Sequence, residues 1–237
     1  MSSATVVVIP TFNEAENVAD LVGQLLALEP TVDVIVVDDG SPDGTGAIAD
    51  ELARSRPNRV AVLHRTGKGG RGTAVLAGLR QGISGDYSLF VEMDADLSHL
   101  PEQLPSLLEA ATGADVVIGS RYIPHGEIHG WSRKRKAWSK VSNLVIDTVL
   151  RLPISDYTNG YRVYSRKAVS ELLSSDLKER GYISLSEWAC VLHRAGMRFA
   201  DVPITFVNRR QGISKMSAGE ALEALRALSR MRRQLSR

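Results

Sequence analysis

The sequence predicts an α/β fold in which a mostly parallel central sheet is covered by helices on both faces. Short Val- and Ile-rich runs recur through the first half, and the segments between them carry helical spacing. Near-continuous apolar strands joined by helices build a sheet buried on both sides. The polar clusters fall where these runs end, and such sheets bind ligands at the carboxyl ends of their strands.

The first run, TVVVIP at 5–10, opens into Pro10-Thr11-Phe12-Asn13-Glu14 and a helical segment, NEAENVADLVGQLLAL. The second, VDVIVVDD, reaches Asp38 and Asp39, then a Ser41-Pro42-Asp43-Gly44 turn and the helical DGTGAIADELARS. The third, RVAVLH, leads into a glycine loop; the fourth, YSLFVEMD, ends at Asp94-Ala95-Asp96; a fifth, ADVVIGS, ends at Arg121. Four of these loops therefore face one crevice. Asn13, Glu14 and the Ser41–Gly44 turn also read as ordinary helix starts. Asp38 and Asp39 are harder to read so, because adjacent carboxylates repel unless a cation or a hydrogen-bond donor uses them.

In LFVEMDADLSH, at 89–99, two carboxylates stand one residue apart at the end of an apolar strand. One reading is a capped turn, with Asp96 or Ser98 as the N-cap of a helix starting at Pro101. The other is a divalent-cation site. Gly67, Gly69 and Gly72 spell G-x-G-x-x-G, but after the third strand, whereas the dinucleotide fingerprint belongs to the first. Lys68 and Arg71 in that loop point instead to a phosphate or to the acidic crevice.

Composition narrows the classes. With 237 residues, 43% of them hydrophobic, the chain supplies a real core. One cysteine, Cys190, excludes an internal disulfide framework, and a reducing cytoplasm is expected. No run approaches the roughly 18 apolar residues of a membrane-spanning helix. The net charge of +2 conceals an asymmetry: residues 1–120 hold 7 Lys and Arg against 17 Asp and Glu, residues 121–237 hold 22 against 10. An acidic half suits a metal, and a basic half suits phosphates or an anionic membrane surface. No aromatic-rich or zinc-spaced motif accompanies the basic charge, so nucleic acid is not the expected partner.

VVIPTFNEAENV, IVVDDGSPDGT, GKGGRGTA, MDADLSH, VIGSRY, GWSRKRKAWSK and FVNRRQGISK occur in the order and near the spacing of the polyprenol-phosphate mannosyltransferases. The chain resembles this family of inverting glycosyltransferases, of the soluble catalytic-subunit type, through nearly its whole length. The resemblance implies a GT-A-type, Rossmann-like single domain over 1–216, with a nucleotide-sugar and metal half at 1–120 and an acceptor half at 121–216. A basic amphipathic tail at 217–237 follows. It further implies transfer of mannose from GDP-mannose to a polyprenyl phosphate, with UDP-glucose as the rival donor and a non-catalytic nucleotide-binding subunit as the rival role.

By the same resemblance Pro10, Phe12, Glu14, Val37 and Asp39 hold the nucleotide, with Phe12 where tyrosine is usual. Asp94, Ala95 and Asp96 form the metal-diphosphate motif for Mg2+ or Mn2+, and Ser98 stands where some members carry glutamine. Arg135 and Ser139 hold the acceptor phosphate, and Arg209 and Lys215 sit in a closing loop against the diphosphate. Two further residues are read from their own positions: Lys68, in the glycine loop, as a contact on the donor side, and Arg121 as a phosphate contact, because an idle charge at a buried strand exit beside the Asp-x-Asp loop is costly.

Two segments bear on the membrane. Arg133, Lys134, Arg135, Lys136 and Lys140 meet Trp131, Trp138 and an apolar stripe through Leu144, Val145, Val149 and Leu152, the pattern of an interfacial segment or of a helix packed on the core. The tail places Leu222, Leu225, Leu228, Met231 and Leu235 at helical spacing among arginines, which fits either a docked amphipathic helix or an anchor on anionic lipid. Peripheral attachment to the cytoplasmic face of a membrane, or a membrane-anchoring protein partner, is the expected route to a lipid substrate.

Overall fold

The computed structural model describes residues 5–67, 69–179, 181, 183–208 and 218–235. β1 (Thr5–Thr11), α1 (Val18–Leu26), β2 (Asp33–Asp38), α2 (Thr45–Ser55), β3 (Val60–His64), α3 (Arg71–Gly82) and β4 (Leu89–Glu92) follow in alternation. A short 3-10 turn, Pro101–Gln103, precedes α4 (Leu104–Ala110) and β5 (Val116–Ser120). The second half holds β6 (Glu127–His129), α5 (Arg133–Leu150), β7 (Arg162–Ser165), α6 (Arg166–Ser174), α7 (Ser184–Arg194), β8 (Phe199–Pro203), β9 (Thr205–Val207) and α8 (Ala218–Leu235).

Seven strands form one sheet in the order β3-β2-β1-β4-β7-β5-β8. Every neighbouring pair is parallel except those of β7, which runs antiparallel to both β4 and β5. β6 and β9 pair separately. Side chains alternate across the sheet. Val6 and Val8 enter one core with α3, α5, α6, α7 and α8, while Val7 and Ile9 enter a second core with α1, α2 and α4.

One expectation from the sequence shifts, and one alternative it left open is decided. The first helix begins at Val18, not at Asn13, because the backbone N–H groups of the preceding loop are spoken for elsewhere. Ser41 Oγ accepts from Asn13 at 3.0 Å, Thr45 Oγ1 from Glu14 at 2.9 Å and Asp43 Oδ2 from Ala15 at 3.1 Å. Side chains of the second loop thus fix the first loop in an extended path. The C-terminal helix α8 docks: Ala227, Leu228 and Met231 are buried in the first core, so these apolar groups face the protein rather than lipid.

Candidate active site

The strand ends enclose two cavities that share Asp94 and Asp96. One, of about 230 Å³, is lined among others by Pro10, Phe12, Glu14, Asp39, Arg71 and Ala95. The other, of about 190 Å³, is lined by Ser98, Arg121, Trp131, Arg135, Ser139 and Asn159 among others. The first is walled by the acidic half and the second by the basic half.

On the acidic side Asp38 and Asp39 meet protein partners. The Ser41 hydroxyl donates to Asp38 Oδ1 at 2.5 Å, while Arg65 Nη1 reaches Asp39 Oδ1 at 2.6 Å and the Gly69 N–H reaches its Oδ2 at 3.1 Å. The repulsion between the neighbours is thereby removed without a ligand, and Asp39 still faces the cavity. Val37 does not: its side chain is fully buried in the core beneath α3, and its carbonyl accepts from Thr11 Oγ1 at 3.2 Å. Lys68, Arg209 and Lys215 lie outside the described residues.

The capped-turn reading of the DADLSH loop fails. Leu100 occupies the cap position of the 3-10 turn, which has no side-chain cap. Asp96 Oδ1 instead accepts the Ser98 N–H at 3.1 Å, holding the loop closed on itself, with Leu97 at φ +58°. Ser98 is fully buried, and its Oγ has no hydrogen-bond partner although the residue lines the second cavity. An orphaned hydroxyl beside two carboxylates is an oxygen donor set of the kind hard divalent cations take. The residues fit such an ion.

Asp94 is held from behind. Its N–H donates to His99 Nδ1 at 3.2 Å, and Arg71 Nε reaches its Oδ1 at 2.7 Å. Burial pushes the Asp94 carboxyl up, but the neighbouring Arg71 charge and its hydrogen bond, with His99 and Arg121 nearby, more than reverse this, so it stays ionised below the ordinary carboxylate range. His99 is fully buried, stacked on Tyr161 with ring centroids 5.0 Å apart, and burial pushes its pKa down.

On the basic side, Arg121 forms a bidentate pair with buried Asp156: Nε to Oδ2 at 2.7 Å, Nη2 to Oδ1 at 2.9 Å. Thr158 Oγ1 takes a further bond from Nη2 at 2.8 Å. The charge expected to be costly at this strand exit is therefore balanced, and the residue still lines the cavity. Arg135 stacks over Trp131, with Cζ 3.9 Å from the ring centroid, and donates to Asn208 Oδ1 at 3.1 Å. Ser139 shares a 2.7 Å hydroxyl contact with Tyr122. Four consecutive basic residues, Arg133 to Lys136, open α5, whose first turn has no acidic residue. This opposes the helix dipole and gathers positive charge at the cavity wall, where an anion is favoured.

Reading the sequence did not assign roles to Glu92, Asp156, Asn159 or Phe206. Glu92 carries a usable signal: a carboxylate inside an otherwise apolar strand requires a buried partner.

An open, mostly parallel sheet with paired carboxylates at a strand end between an acidic and a basic cavity defines a GT-A-like fold. Residues 6–173 match the sequence model of glycosyl transferase family 2, and the chain belongs to that family. It is 46% identical over 222 residues, 93% of this chain and 84% of the relative, to polyprenol monophosphomannose synthase of Mycolicibacterium smegmatis. It is 45% identical over 218 residues, 92% of this chain and 89% of the relative, to undecaprenyl-phosphate mannosyltransferase of Micrococcus luteus. In fold it is similar to glucosyl-3-phosphoglycerate synthase of Mycobacterium tuberculosis, solved with Mn2+, UDP-glucose and phosphoglyceric acid. The TM-score is 0.69 at 18% identity, covering 96% of this chain and 79% of that one.

Proposed function

We propose that this protein transfers mannose from GDP-mannose to a polyprenyl phosphate with inversion at the anomeric carbon. The observation that carries the reading is the meeting of an acidic and a basic cavity at Asp94 and Asp96; the names of the two relatives support mannose and a polyprenyl phosphate. In this reading residues 1–120 form the donor half, 121–216 the acceptor half, and 217–237 a basic tail.

Pro10, Phe12, Glu14 and Asp39 line the donor cavity and bind the nucleotide. Asp94 and Asp96, with Ser98 directly or through water, would hold Mg2+ or Mn2+. Such an ion offsets the negative charge that develops on the departing diphosphate. Arg135 and Ser139, with Arg121 braced by Asp156, orient the acceptor phosphate for in-line attack. Because that phosphate is already anionic, no side chain has to remove a proton from it.

The lipid reaches the site from a membrane surface. No helix among the described residues is long and apolar enough to cross a bilayer. Trp138, Val141, Leu144 and Val145 are instead exposed on α5, beside Lys136 and Lys140. An apolar strip edged with lysines is the make-up of a helix lying in the interface, here at the cytoplasmic face. A membrane-anchoring protein partner is a second means of attachment.

The test is donor competition. With a short polyprenyl phosphate in detergent, labelled mannose from GDP-mannose should enter the lipid phase, and excess UDP-glucose should not suppress it. Label from UDP-glucose alone would reassign the donor.

A further inference from the structure

Glu92 and Asp94 stand two residues apart at the end of β4 and so face the same way. Both meet one guanidinium. Arg71, the first residue of α3, sets Nε and Nη2 on Asp94 Oδ1 at 2.7 and 2.5 Å and Nη1 on Glu92 Oε1. Glu92 is fully buried and its Oε2 accepts from the Tyr164 hydroxyl at 2.9 Å. The slot is built for arginine from the acceptor half as well. A Cβ on Gly160 would fall inside the guanidinium, 2.7 Å from Cζ. Arg71 also lines the donor cavity.

We infer that Arg71 is the resident counter-ion of Asp94 and makes capture of a divalent cation conditional on a nucleoside diphosphate. The inference rests on the reading of the site given above. A bare cation approaching Asp94 and Asp96 meets a permanent positive charge already paired to Asp94, and like charges at such separations repel. No group of three or more His, Cys, Asp or Glu side chains among the described residues is placed to hold a metal by itself. A diphosphate supplies both missing parts: oxygens for the ion, and negative charge that faces the ion and Arg71 together. Arg71 is thus a positioning residue whose charge couples the two ligands. A buried ion pair need not add stability, so its presence here is better explained by this coupling.

The experiment measures Mn2+ binding by the full chain, by the loss of free-ion EPR signal, with and without GDP. Wild type should bind Mn2+ at least about tenfold more tightly with GDP, within the usual range of coupling between sites. The double variant R71M/E92Q removes the guanidinium together with the fully buried Glu92 charge and leaves Asp94 without its counter-ion at the cavity. It should bind Mn2+ alone more tightly and lose most of the coupling. Gly160→Ala displaces the guanidinium while leaving every carboxylate in place, and should do the same. Arg71→Lys, which keeps the charge, should restore coupling. Unchanged coupling in R71M/E92Q or in Gly160→Ala overturns the inference, as does tight Mn2+ binding by wild type without GDP. Failure of wild type to bind Mn2+ even with GDP overturns both the inference and the reading of the site. Loss of coupling in both R71M/E92Q and Gly160→Ala, with coupling kept in Arg71→Lys, supports the inference.

Discussion

His99 Nε2 lies 2.8 Å from Asn159 Oδ1. The amide is oriented by its own Nδ2, which donates to the Gly119 carbonyl at 2.5 Å, so its oxygen must face the ring. The imidazole therefore carries its proton on Nε2 and accepts the Asp94 N–H on Nδ1. A neutral, buried histidine from the donor half thus ties the Asp94 backbone to the Thr158-Asn159-Gly160 loop of the acceptor half.

His99→Ala should break that tie and leave the Asp94 N–H and the Asn159 amide oxygen unpaired beside a cavity. The expected cost is about 2–5 kcal/mol of stability, from unsatisfied polar groups and lost packing. Denaturant unfolding reads it, and transfer activity should fall by more than the fraction of protein unfolded.

Asp156→Ala strands the buried Arg121 charge and should cost about 3–5 kcal/mol. The pH dependence follows from the same pair. Burial pushes the Asp156 carboxyl up, but the Arg121 charge and hydrogen bonds more than reverse this, so its folded pKa lies below the ordinary 3.8. A depressed carboxylate contributes stability that is complete above the unfolded value and is lost as pH falls through the folded one. Wild type should therefore lose stability more steeply than Asp156→Ala below about pH 4. Parallel acid-unfolding curves for the two would contradict the assignment.

Leu144→Glu alters a side chain on the open face of α5 and should leave the melting temperature unchanged. Burying one such apolar group in lipid is worth about 1.5–3 kcal/mol, so co-sedimentation with anionic vesicles should drop by roughly tenfold or more. Binding equal to wild type would remove α5 as the membrane contact.

Much of the donor half was legible because its signals are local: apolar runs, turn residues, and carboxylates at a strand end. The antiparallel β7 was not, since Arg162–Ser165 is four residues long and its partner β4 lies about seventy residues earlier. Pairings across that distance leave no periodic trace. For the same reason the sequence names no protein partner for Asp39 or Arg121, although Arg65 pairs with the one and Asp156, thirty-five residues on, with the other. Val37 was matched by its place in a motif, while its strand alternation turns it into the core.

The central claim is that Asp94 and Asp96 join the two cavities through a divalent cation. Asp96→Ala, assayed for transfer of labelled mannose from GDP-mannose to a short polyprenyl phosphate with and without Mn2+, tests it most directly. Wild type should show Mn2+-dependent label in the lipid phase, and the variant, still folded at the assay temperature, should lose at least about a hundredfold in rate. Full transfer by Asp96→Ala, or transfer by wild type that ignores chelation of divalent ions, would contradict the account.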